Sequence, residues 1–192
     1  GQSYLAQQSV QIEGDWSNAA FWLTAAAMGK KKVTVTCLDE NSTQGDKKIL
    51  DILKRMGAKV EQRDWEATVT PERLDGTDID AGDIPDLVPI LAAAAAVSRG
   101  KTRIYNAGRL RLKESDRLKS VSQVLNGLGG QVRELEDGLE ITGRERLAGG
   151  RVDAAGDHRI AMMAAVAAMV CENPVEICGA QAVNKSYPGF FE

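Results

Sequence analysis

The decapeptide RLRLKESDRL, residues 109–118, carries six charged side chains. Arg109, Arg111, Lys113 and Arg117 supply cations, and Glu114 and Asp116 supply carboxylates. A short β-branched stretch, TRIYN, precedes it, and an amphipathic pattern, DRLKSVSQVLNGLG, follows. The charges therefore fall where a strand hands over to a helix. The first turn of a helix presents free N–H groups and the positive end of the backbone dipole, so it favours a phosphate or carboxylate. Arginines there strengthen an anion site through charge-assisted bonds. The same pattern also fits a solvated helix start, with Glu114 and Asp116 complementing the dipole. Three further stretches carry candidate groups. GDHRIAMM sets Asp157, His158 and Arg159 at the mouth of an apolar helix, where Arg159 needs a partner because unpaired buried charge is costly. Asp157 reads there as a cap and His158 as a capping or core histidine. NKSYPGFF places Lys185 in a turn-like segment ahead of Pro188–Gly189, as a ligand cation or a solvated lysine. GDIPDLVPI offers Asp86, as a helix cap or, facing a cleft, as a catalytic carboxylate.

The elements that must hold these groups recur along the chain. Asp15, Asp86 and Asp157 are spaced 71 residues apart, and each opens an Ala-rich helical stretch followed by a short alternating strand. Asp suits such a position because its side chain accepts the orphan N–H bonds of the first turn. Ala-rich helices allow close backbone approach, so these three are expected to form a buried inner layer. DILKRMGAKVEQ (51–62) resembles QVLNGLGGQVRE (123–134), each an amphipathic helix end, a Gly and a strand. ATVT and GLEIT follow as further strands. The unit reads β-α-β-α-β-β over about 70 residues, longer than solenoid repeats. The expected fold class is α/β (α+β), with repeated units at about 9–79 and 80–149 and an incomplete one at 150–192, all in one domain. A strand is expected close to the start, and both ends read as interruptions within a longer chain.

Bulk properties narrow the partners. The chain has 192 residues, 43% of them hydrophobic, enough for a core. A net charge of −3 argues against a general nucleic-acid or membrane-surface binder, so the basic cluster suits a small anion. Cys37, Cys171 and Cys178 lack CxxC spacing and read as buried, reduced thiols of a cytoplasmic protein. One histidine and no ligand cluster leave no structural zinc or other metal site to expect. No apolar run has the length or placement of a signal peptide or membrane span.

Together the stretches LKESDRL, GDHRIAMMAAVAAM, IPDLVPILA, NSTQGD and NKSYPGFF resemble, in order, the 5-enolpyruvylshikimate-3-phosphate synthase family. KESDR with DHRIAM is the specific pair. The resemblance covers essentially the whole chain and implies the C-terminal-side domain of a two-domain enzyme, built of β-α-β-α-β-β units around buried helices. The N-terminal-side domain, which supplies most shikimate 3-phosphate contacts, and the segments that complete the third unit are not in this sequence. The implied reaction transfers the enolpyruvyl group of phosphoenolpyruvate to the 5-hydroxyl of shikimate 3-phosphate by addition and elimination, without cofactor or metal. In that family glyphosate competes with phosphoenolpyruvate. By matching position, Arg117, Arg159 and Lys185 would hold phosphoenolpyruvate, and Asp86 and Lys113 would meet shikimate 3-phosphate at its reacting hydroxyl. Glu114 would exchange a proton with the methylene carbon. Which group is acid and which base stays open on residue type. Arg109 stands where some members carry a substrate-binding Asn, and His158 is assigned to supporting Arg159. The fragment alone is expected to be inactive.

Two other readings remain. An enolpyruvyl transferase for a UDP-sugar would bind that nucleotide sugar, but KESDR argues against it. A non-catalytic binding module of the same fold, as the related architecture of RNA 3′-phosphate cyclases allows, would need no cationic cleft.

Overall fold

The computed structural model describes residues 11–192; the strand expected to follow residues 1–8 would begin outside the described residues, and where it should continue, at residues 11–15, the chain is irregular. The next elements are α1 (Trp16–Met28), β1 (Val33–Thr36), α2 (Ile49–Arg55), β2 (Lys59–Arg63) and β3 (Glu66–Thr70). Then come β4 (Asp78–Asp80), α3 (Val88–Ala96), β5 (Lys101–Tyr105), α4 (Arg117–Gly127), β6 (Val132–Leu135) and β7 (Gly138–Thr142). β8 (Gly150–Asp153), α5 (His158–Ala168) and β9 (Val175–Cys178) follow. Short 3₁₀ turns at Gly45–Lys48, Pro85–Leu87, Gly108–Leu112 and Ala180–Lys185 link them.

The stretch from β4 to β7 runs β-α-β-α-β-β. Its strands form one sheet in the order β4-β5-β7-β6, with β4 and β5 parallel and the other pairs antiparallel. A parallel neighbour requires a crossover, which α3 supplies. β1, β3 and β2 repeat the second half of that sheet, both pairs antiparallel. β8 and β9 repeat its parallel half, with α5 as the crossover. β4 straddles the boundary expected between residues 79 and 80.

The Ala-rich helices form the inner layer. Every residue of α3 is buried, as are ten of α1 and nine of α5. Outer helices α2 and α4 end alike. Gly57 at φ 105° and Gly129 at φ 88° each sit just past the helix. In α2 the N–H of Ala58 reaches the carbonyl of Leu53 and that of Gly57 reaches Lys54; in α4, Gly130 reaches Leu125 and Gly129 reaches Asn126. These are the paired bonds of a glycine-terminated helix, which need a left-handed residue.

The cysteine expectation fails in part. All three are free, but Cys37 is exposed and Cys171 and Cys178 only partly buried. Cys37 adopts φ 64° at the end of β1, which breaks the strand alternation and turns Leu38 inward instead. Among the described residues no helix is long and apolar enough to cross a membrane.

Candidate functional site

The N-terminal ends of α1, α4 and α5 and the turn ahead of α3 meet at one edge of the inner layer, and polar side chains knit them together. Asp157 is the N-cap of α5. Its Oδ1 accepts the Arg159 N–H at 2.9 Å, and its Oδ2 accepts Arg117 Nε at 2.7 Å and Ser115 Oγ at 3.1 Å. Arg117, the first residue of α4, spends the rest of its guanidinium on Asp86 Oδ1 at 2.7 Å and Glu114 Oε2 at 2.6 Å. Its side chain is 1% exposed. Burial alone would lower the Arg117 pKa, but Asp157, Asp86 and Glu114 outweigh it and hold the charge.

Asp86 is the hub. Besides Arg117, it faces Arg159 Nη2 at 3.2 Å and Lys113 Nζ at 3.4 Å. Burial would raise its pKa, yet Arg159, Lys113 and Arg117 together bring it below the ordinary carboxylate value. The capping role that the repeat suggested for Asp86 is not what the structure shows. Asp86 lies inside the Pro85–Leu87 turn, Leu87 is the cap residue of α3, and no side chain caps that helix. Pro89, the second helical residue, has no N–H to be capped. The Gly-Asp pair that precedes α1 and α5 recurs instead as Gly82–Asp83, three residues before Asp86.

Glu114 bridges to the last element. Its Oε1 accepts Lys185 Nζ at 2.7 Å, and Lys185 ends the 180–185 turn. The Lys185 hydrogen bond is the main reason that the Glu114 pKa falls to about 2. Lys185 is positioned by aromatic packing behind it: Phe190 meets Phe21, Trp22, Tyr187 and Phe191 at centroid distances of 5.2–6.3 Å, and Trp22 Nε1 donates to Tyr187 Oη. Arg159 also donates to Ser17 Oγ at 3.1 Å, which in turn bonds to Asp15, the cap of α1. Among the described residues the buried Nη1 of Arg159 has no partner.

All six residues singled out from the sequence, Asp86, Lys113, Glu114, Arg117, Arg159 and Lys185, thus belong to one network. Four cations face three carboxylates in it, counting Asp157. It forms a polar wall along that edge of the inner layer. Two concavities, of about 530 and 640 Å³, lie elsewhere and include none of the six. Arg109 stands beside the wall: it donates to the Gly82 carbonyl and ties the loop of Lys113 to that of Asp86. Arg111 braces the same loop through Asp116, Glu134 and the carbonyls of Leu135 and Glu136. His158 is buried but forms no hydrogen bond to Arg159. Its Nδ1 lies 3.8 Å from Asp157 Oδ1, without a hydrogen-bond partner among the described residues, and burial with Arg159 pushes its pKa down.

Two groups escaped the sequence reading. On sequence Asp157 reads only as a cap, although its second oxygen holds Arg117; the DHR run gives no sign of that because the partner is 40 residues away. Asp46, in the NSTQGD stretch, faces the same charges. Burial chiefly raises its pKa to about 6, against the pull of Arg159.

The family model of EPSP synthase (3-phosphoshikimate 1-carboxyvinyltransferase) matches residues 1–192. The chain belongs to the EPSP synthase family. It is 51% identical over 181 residues to 3-phosphoshikimate 1-carboxyvinyltransferase of Clostridium kluyveri and 47% identical over 193 residues to that of Clostridium novyi. Those matches cover 94% and 100% of this chain but only 42% and 44% of the two relatives, so the chain spans less than half their length. An EPSP synthase structure from Acinetobacter baumannii superimposes with a TM-score of 0.84 at 31% identity, covering 93% of this chain and 44% of that one. The enolpyruvyl transferase NikO from Streptomyces tendae, at TM-score 0.69 and 19% identity, covers 93% of this chain and 41% of its own and shares the fold.

Proposed function

We propose that the complete protein containing this chain transfers the enolpyruvyl group of phosphoenolpyruvate to the 5-hydroxyl of shikimate 3-phosphate, releasing phosphate. The observation that carries this reading is the hub at Asp86: an ionised carboxylate held among three cations at the meeting point of helix N-termini. The relatives' shared name supports it. The domain missing from this chain supplies the opposing wall, and this portion alone is inactive because the reacting groups must be enclosed and aligned. A cytoplasmic setting, without cofactor or metal, fits the same reading.

In this mechanism Arg159 and Lys185 grip phosphoenolpyruvate, with Arg117 lending charge from behind until Glu114 turns aside. Asp86, ionised and beside Lys113, takes the proton of the 5-hydroxyl as its oxygen bonds to the central carbon of phosphoenolpyruvate. The methylene carbon gains a proton to become methyl. Loss of a methyl proton then expels phosphate and restores the double bond. Glu114 is the group for these carbon proton transfers. Its pKa of about 2 reflects the Lys185 bond; once Lys185 turns to the incoming anion, Glu114 is released upward and can hold a proton. The cations stabilise the negative charge throughout.

The test supplies the full-length protein and measures phosphate release with phosphoenolpyruvate and shikimate 3-phosphate. Turnover that requires both supports the reading. A folded, complete protein that is silent, or that turns over only with a UDP-sugar acceptor, sinks it.

A further inference from the structure

Lys113 is held in the wall by one ion pair, to Asp86 Oδ1 at 3.4 Å. Glu114, next to it, is held at both oxygens, by Arg117 at 2.6 Å and Lys185 at 2.7 Å. The main chain adds little: among the described residues, Lys113, Glu114 and Ser115 make no backbone hydrogen bond to another residue. Where Lys113 sits therefore depends on how its loop is pinned on either side. On the α4 side, Ser115 Oγ donates to Asp157 at 3.1 Å and accepts from Ser120 Oγ at 3.2 Å. On the β5 side the pin is Arg111, two residues before Lys113. Its Nε donates to the Glu136 carbonyl at 3.1 Å and its Nη2 to the Leu135 carbonyl at 2.7 Å. Its Nη1 reaches both Glu134 Oε1 at 2.6 Å and Asp116 Oδ2 at 2.9 Å. Glu134 and Leu135 lie on β6, Glu136 in the turn after it, and Asp116 is the N-cap of α4. Gly108, at the start of the same 3₁₀ turn, is fixed to that hairpin as well. Its N–H meets Asp137 Oδ1 at 2.5 Å, and an added Cβ would lie 2.8 Å from that oxygen. Glu134 and Asp116 neutralise the Arg111 charge where it stands, so this arginine gives the wall geometry rather than field.

We propose that Arg111 is a positioning residue for Lys113: its guanidinium, forked onto the β6–β7 hairpin, fixes where the Lys113 ammonium stands beside Asp86 and the reacting hydroxyl. This rests on the enolpyruvyl-transfer reading above. Without the fork the loop keeps its Ser115 anchor and loses the other, and Lys113 drifts from Asp86. Misplacement of a reacting group by ~1 Å costs about 10² in rate. Glu114 keeps its two partners, and Arg159 and Lys185 stand on other elements, so the loss falls on turnover rather than on the grip on phosphoenolpyruvate. Arg111 acts through Lys113 and touches no reacting atom.

The experiment uses the full-length protein and its Arg111→Ala, Lys113→Ala and double variants. Wild-type turnover with both substrates is the test of the function itself, and its absence overturns that reading rather than this one. Arg111→Ala should lower kcat about ten- to hundredfold while KM for phosphoenolpyruvate stays within about threefold. In the Lys113→Ala background the same substitution should cost less than about threefold, because residues that act as one unit are not additive. An equal loss in both backgrounds overturns the proposal, as does a raised KM with kcat unchanged. Arg111→Lys keeps the charge without the planar fork and should stay impaired; full recovery assigns the effect to charge and overturns the proposal too. Should Arg111→Ala not fold, Glu134→Ala, which takes one carboxylate from the fork, is measured in both backgrounds in its place. Hydrogen exchange gives a reading free of turnover. The amides of Gly108 and Leu110 should exchange about tenfold faster in Arg111→Ala while those of β7 keep their rates. Unchanged exchange in that turn overturns the proposal.

Discussion

Asp15 and Asp86 stand 71 residues apart, at the spacing of the repeat, yet they do opposite things. Asp15 turns its Oδ1 back onto the N–H groups of Ser17 and Asn18, at 2.8 and 3.4 Å. Asp86 binds no N–H of its own helix and takes three cations from elsewhere in the fold. Asp157, another 71 residues on, does both, one oxygen for the cap and the other for Arg117. A carboxylate that caps is satisfied locally and contributes to stability. One released by a proline-started helix is free to face a ligand. Where stability and chemistry separate in this wall therefore follows from which carboxylates cap.

The contrast can be broken by substitution in the full-length protein. Asp157→Ala should have the largest effect, because it removes a cap and strands a buried arginine: about 3–5 kcal/mol of stability in a urea melt. A loss below about 1 kcal/mol would show that the Arg117 charge finds another partner. Asp86→Ala should invert the balance, lowering turnover by at least ~10² while costing less stability than Asp157→Ala. An equal melt shift with little change in rate would make Asp86 structural. Asp15→Ala should cost about 1 kcal/mol, the ordinary worth of a cap, read in the same melt. The smallest change concerns acid. Glu114 has its pKa lowered from 4.5 to about 2, so its contribution is complete above the ordinary value and lost as pH falls through about 2. Lys185→Ala should move that loss to higher pH, seen as an earlier acid transition, and an unchanged transition would show that other groups hold Glu114 down.

What the sequence revealed and what it hid divide along the same line. Local rules placed the buried Ala-rich helices, the hairpin strands and the glycine stops of α2 and α4, because periodicity and left-handed backbone are encoded by neighbours. The caps at Asp15 and Asp157 were readable for that reason. The misreading of Asp86 came from extending the repeat past Pro89, whose missing N–H changes what a cap can do. The six site residues came from charge types in unusual places and from family resemblance. Their union into one network, and the parts played by Asp46 and the second oxygen of Asp157, depend on contacts across tens of residues that no local pattern carries.

The sheets also differ in bracing. β7 is flanked by β5 and β6, whereas among the described residues β8 and β9 have only each other. Amides of β7 should exchange with solvent only when the whole sheet opens, and those of β8 and β9 through smaller, more frequent openings. α5, which carries both Asp157 and Arg159, is strung between those two strands. The cation expected to grip the substrate thus rides on the helix between these two strands. An anion that binds Arg159 should slow exchange in strands it never touches, so the rhythm of β8 and β9 reports on occupancy of the wall.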